Sequence, residues 1–258
     1  MNLAGVDISI LWPAFIAGLL VTATHVPLGI QVLNRGIVFI DLAIAQIAGL
    51  GVICADWLGF EPQGWAVQVS ALAAALAGAL LLTWTEKHWP EVQEAMIGVT
   101  FILAASGALI VLASNPRGAE HLKDLLVGQI LWVNPGRLGL VALVYAAVLF
   151  VWFMLGERVG RVGFYLLFAC AVTVSVQLVG LYLVFTSLIV PALATRRFLR
   201  SRVAIGYAVG AAGYALGLIA STVTDLPSGP AIVWVMAAVA IVVFAVGPRR
   251  RRAEQGLL

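Results

Sequence analysis

Nine stretches of 14 to 23 residues, each strongly apolar and separated by short polar turns, dominate the sequence. A helix needs roughly 20 apolar residues to cross the hydrocarbon core of a bilayer. Inside that core each backbone amide must find its partner within the protein, which leaves helices and closed barrels as the spanning structures. The stretches lie near Ile10–Val32, Ile37–Leu58, Gly64–Trp84, Ala95–Ser114, Leu138–Leu155, Gly163–Val179, Leu181–Ala194, Val203–Thr222 and Ala231–Val246. They predict an all-α, polytopic integral membrane protein with about nine transmembrane helices, the sixth and seventh short. A weaker stretch, HLKDLLVGQILWV, is too short and too charged to span. It is predicted to be a re-entrant or interfacial helix packed against protein.

Composition supports this class and excludes others. Hydrophobic residues make up 62% and charged residues 10%, whereas soluble domains carry roughly 25% charged residues. The 26 glycines suit closely packed spanning helices. Cys54 and Cys170 both sit in apolar runs, which speaks against a disulfide framework or a thiolate metal site. The first residues, MNLAGVDISI, lack the basic segment of a cleavable leader. Residues 1–258 are thus expected to form a single transmembrane domain ending in a basic tail at 248–258.

The basic residues predict an orientation. With the N-terminus outside, twelve of the fifteen lysines and arginines fall on the cytoplasmic side, leaving Arg117, Lys123 and Arg137 outside. Such asymmetry is the positive-inside signal. The clusters Arg196/Arg197/Arg200/Arg202 and Arg249–Arg252 are read as anchors to anionic membrane lipid, with no nucleic-acid role. The chain contains no GxxxxGK[ST], HExxH, GxSxG or CxxC pattern, and its loops are too short to hold a soluble catalytic domain. It is therefore expected to be no enzyme and to bind no cofactor of its own. Active transport by such a chain needs energy from a gradient or from a partner subunit.

Ionisable residues within spans are functional candidates, because burying them unpaired costs several kcal/mol. His25 lies in the first stretch, and Asp41 and Gln46 lie in the second. A hairpin turning near Arg35 would put all three between the inner half and the middle of the bilayer, where they could line one cavity. Asp41 and Gln46 are about 140° apart around a helix and need not share a face. A His25–Asp41 pair pinning two helices together is the structural alternative. Gln177, Thr186 and Ser187 are expected to make interhelical hydrogen bonds. Asp225, in TDLPSGP, is placed at the outer mouth between the last two spans, where it could cap the turn. His88 and His121 are read as solvated loop residues.

The segment VGLYLVFTSLIVPALATRRF, from Val179 to Phe198, resembles the VGxLLVxxLLxxPAATAR stretch of permease subunits of zinc/manganese/iron ABC importers, the ABC-3 family. Its glycine, apolar run, Pro191 and Arg196/Arg197 fall in register. TDLPSGPAIV is similar to that family's YDxPxGPxIV element. PLGIQVLNRGIVFIDLAIAQIAGLGV aligns without gaps to its first conserved region, and AMIGVTFILAASGALIVLAS resembles its fourth span. The resemblance covers nearly the whole chain. It implies a permease domain that works as a homo- or heterodimer with cytoplasmic ABC ATPase subunits, where ATP binds, and with an extracytoplasmic metal-binding protein. The transported substrate would be a divalent metal, with His25, Asp41, Gln46 and Asp225 as candidate residues of the translocation path.

Two departures stand beside the matches. The family carries GDxxxH in its second span, and its Asp and His help form the metal pathway; here those positions are Leu42 and Gln46. Leucine cannot bind a cation, and glutamine offers only a neutral carbonyl to an ion that prefers imidazole or thiolate. The family also carries a cytoplasmic coupling helix between the fifth and sixth spans, where this chain has only GERVGR, Gly156 to Arg161. The loop Glu86–Glu94 is a candidate for part of the ATPase contact. The departures keep two other readings open: a permease for a chelated or non-metal small substrate, and a non-transport membrane protein derived from a permease.

Overall fold

In the computed structural model, residues 8–61, 64–112, 128, 130–198 and 200–248 are described. They form nine α-helices and no strand: α1 (Ile8–Arg35), α2 (Ile40–Trp57), α3 (Trp65–His88), α4 (Gln93–Leu112), α5 (Pro135–Leu155), α6 (Gly160–Val179), α7 (Leu181–Ala194), α8 (Arg202–Thr224) and α9 (Ser228–Val246). Eight are long and apolar enough to cross a membrane; α7, with 14 residues, is shorter. The order and type of the elements follow the apolar stretches. The boundaries differ where local chemistry extends a helix: α3 runs on to His88, whose ring stacks near Trp84.

The helices alternate in direction. Gly206, Gly210 and Tyr214 of α8 meet Val26, Thr22 and Gly18 of α1 in reverse order, and Gly213 and Gly217 meet Met236 and Ile232 of α9. Small residues at these crossings let the backbones approach, which is how spanning helices gain packing energy when lipid offers no hydrophobic contrast. Gly29 shows the limit, since a Cβ there would overlap the backbone carbonyl of Leu188 in α7. Since α1 and α9 both run opposite to α8, the start of α1 and the end of α9 lie on opposite faces.

Pro27 interrupts α1 from within. It has no N–H to donate, so the carbonyl of Ala23, four residues earlier, loses its helical partner. The hydroxyl of Tyr207 in α8 supplies the replacement at 3.0 Å. Neighbouring side chains commonly make a proline tolerable in a spanning helix in this way.

Gly180 separates α6 from α7 at φ 83, in the left-handed region that favours glycine. Gly128 lies against the backbone at Val179–Gly180, and the turn Ile130–Trp132 follows with Ile130 buried. The end of the expected re-entrant segment therefore seats at the α6–α7 break; residues 121–127 and 129 lie outside the described residues. So do Arg117, His121, Lys123 and the tail from 249 to 258.

Tyr207→Phe should lower stability by about 1–3 kcal/mol, the cost of a carbonyl in a spanning helix left without a partner. Gly29→Ala should cost more than a propensity change, because a backbone must move. Unfolding of the detergent-solubilised protein measures both.

Candidate functional site

The site builds from α1. Spacings of three, four and seven put Gly18, Thr22, His25 and Gly29 on one helix face, the face that meets α7 and α8. His25 is fully buried. Its Nδ1 lies 3.0 Å from the carbonyl of Val21 and 3.0 Å from Oγ1 of Thr24. A carbonyl only accepts, so Nδ1 donates to Val21 and Nε2 keeps the lone pair in the neutral ring. That Nε2 is buried and has no partner. A backbone carbonyl orienting one ring nitrogen while the other is free is the arrangement of a metal-binding histidine.

Asp41 is also fully buried, and neither carboxylate oxygen has a partner. It is the second residue of α2, in the first turn. The expected hairpin placed it alongside His25, but α1 stays helical to Arg35 and α2 begins only at Ile40. His25 therefore stands about 15 Å along α1 from that turn, and Asp41 only about 1.5 Å along α2. No ion pair joins them among the described residues. The positive end of the α2 dipole offers Asp41 partial compensation.

Gln46 is half-buried, on the same α2 stripe as Leu42 and Leu50, both also half-buried. Asp225 is exposed at φ 54, capping the end of α8. The start of α8 touches α1 near Asn34 through Arg202, so Asp225 lies on the opposite face from Asp41. The four candidates are therefore not brought together, and among the described residues no three His, Cys, Asp or Glu side chains form a metal-holding group.

Tyr145, Ser175 and Tyr214 are polar residues within spans that the sequence reading did not single out. Tyr145 of α5 pairs with Ser175 of α6 at 2.6 Å, and Ser187 of α7 with Tyr214 of α8 at 2.8 Å, all buried. A tyrosine inside an apolar run signals such a partner, since its hydroxyl must be satisfied. Ser187 thus makes the interhelical bond expected of it. Thr186 instead donates to the carbonyl of Tyr182 in its own helix, and Gln177 is exposed. His88 is exposed, as expected of it.

The sequence profile of the ABC 3 transport family matches residues 7–162 and 155–247. The chain belongs to the ABC 3 transport family. Within this family's reach, it is 24% identical to the high-affinity zinc uptake system membrane protein ZnuB of Haemophilus influenzae, over 87% of this chain and 92% of that one. It is 25% identical to the manganese import system permease protein ScaB of Streptococcus gordonii, over 95% and 94%. Its fold matches PsaBC from Streptococcus pneumoniae, solved in complex with a Fab, at TM-score 0.77 and 21% identity, over 95% of each chain. Family membership makes the chain a multi-pass membrane subunit of a transporter.

A carboxylate sealed without a partner costs stability, so Asp41→Asn should unfold at a higher temperature than the wild type. A lower midpoint would show that the carboxylate has a stabilising partner in the membrane.

Proposed function

We propose that this chain is the permease subunit of an importer for a divalent transition-metal ion, zinc or manganese. A separate cytoplasmic ATPase energises it, an extracytoplasmic metal-binding protein delivers the ion, and a second permease copy completes the path. The observation that carries the metal reading is His25, whose oriented ring keeps one buried nitrogen free. Neutral imidazole suits both ions. A single protein nitrogen with water or carbonyl oxygens holds an ion weakly, as transport requires, because a closed four-ligand site would retain it. The relatives named for zinc uptake and manganese import support the reading. Asp41, Gln46 and Asp225 are then separate stations at different depths.

The α2 stripe of Leu42 and Gln46 favours a second reading, a metal that travels with its own small ligands, since neither side chain replaces water around a bare cation. Uptake of zinc, manganese and iron by a deletion strain separates the two. Expression of the wild-type chain should restore uptake of one free ion. His25→Gln, made at normal abundance and stability, should not restore it. Normal uptake by that variant removes His25 from the path, and uptake restored only with a chelator present favours the second reading.

The distribution of basic residues supports a plasma-membrane orientation with the N-terminus outside, the C-terminus in the cytoplasm, and Arg196, Arg197, Arg200 and Arg202 at the inner surface. Arg197 sits 3.9 Å over the ring of Phe244, at the end of α9. A cysteine in place of Ser201 should react with impermeant reagents only from the cytoplasmic side. Labelling from outside inverts the orientation.

A further inference from the structure

The α5–α6 connection is one 3-10 turn, Gly156–Val159, so it projects little toward a cytoplasmic partner. The α3–α4 connection is built differently. Trp89 and Val92 are 42% and 45% exposed, with Glu91 exposed between them. Behind this turn lies a braced polar network. Oγ1 of Thr85 donates to Oε1 of Gln93 at 2.9 Å; Nε2 of Gln93 donates to the carbonyl of Leu82 at 3.0 Å and to the hydroxyl of Tyr165 at 3.2 Å. Glu86 pairs with Arg161 of α6 at 3.7 Å. The amide of Phe39, at the start of α2, donates to Glu94 at 3.3 Å.

We infer that the turn Trp89–Val92 is the docking point for the cytoplasmic ATPase, which presents a basic-rimmed apolar cleft to it. This rests on the importer reading above. Charge argues for the occupant. The inner leaflet is anionic and attracts basic residues, and the remaining turns on this face carry arginines. Glu86, Glu91 and Glu94 outnumber Lys87, so this connection alone among those turns is net acidic, although Glu86 is paired with Arg161, and exposed Glu91 is repelled by lipid headgroups. An apolar pair around an acid fits a protein surface of opposite charge.

The bracing gives the contact its use. Gln93 is bonded to α3 on one side and to Tyr165 of α6 on the other, and Glu94 accepts from the amide of Phe39, so displacement of the turn passes to α6 and to the start of α2, two residues from Asp41. A lipid-facing turn has no need of such connections.

The test uses the permease co-expressed with its cognate ATPase and purified through a tag on the permease. The double variant Glu91→Arg with Val92→Ser should retain at least tenfold less ATPase than wild type, at unchanged thermal midpoint. Glu91→Gln, which keeps the shape and removes only the charge, should show an intermediate loss. Arg158→Glu, in the α5–α6 turn, should retain the ATPase. Retention by the double variant within twofold of wild type, or loss only in Arg158→Glu, overturns the docking surface and leaves the importer reading intact. A wild-type permease that retains no ATPase overturns the importer reading, and this inference with it.

Discussion

The contact of α1 with α7 and α8 sets the terms for the rest of the molecule. In hydrocarbon, helices are held by packing and by the polar groups they share. Here Gly29 brings α1 against the backbone of α7, while Thr22 and Gly18 accept α8 at Gly210 and Tyr214. Pro27 frees one carbonyl at the centre of this joint, and Tyr207 is placed to take it. His25 lies within the same joint. Its burial follows from how tightly the three helices close, while its ring is oriented by Val21 and Thr24 of its own helix.

Much of this architecture is legible in the sequence because a bilayer is a simple solvent. Apolar length reports a span, and glycines report close approach. The nine stretches therefore locate the nine α-helices among the described residues, down to the boundaries of Leu181–Ala194. The site was less legible, for a reason that a single hairpin shows. A turn centred near Arg35 and a turn running from Gly36 to Phe39 differ by a few residues in sequence, yet each residue moves a side chain about 1.5 Å along the axis. That difference puts Asp41 at the helix start and separates it in depth from His25. Hydropathy cannot detect it, because Ile37, Val38 and Phe39 are as apolar as any spanning residue.

The pairing of Gln93 with Tyr165 and Thr85 was illegible for another reason. Its members come from three segments up to 80 residues apart, and nothing in any one of them announces the others. Tyrosine in an apolar run signals only that some partner exists. The Glu86–Glu94 loop stands out in sequence by its charge alone, and the structure adds the connections that turn a charged loop into a rigid one.

The two buried ionisable groups bear on motion as well as on chemistry. His25 and Asp41 have no exposed surface, so an ion can reach Nε2 only when α1 parts from its neighbours. The resistance to that opening is uneven along α1. At Pro27 the helix lacks one internal hydrogen bond, and the carbonyl it leaves is held by a single external hydroxyl. Proline sites are where spanning helices bend at least cost, since no ladder bond has to break. His25 sits two residues before that proline. At Gly29, two residues beyond it, backbone meets backbone and the contact with α7 is tightest. A bend at Pro27 would therefore move the His25 segment relative to α8 while the Gly29 segment stays clamped on α7. The same proline that weakens the helix thus places a point of flexure next to the one fully buried imidazole among the described residues.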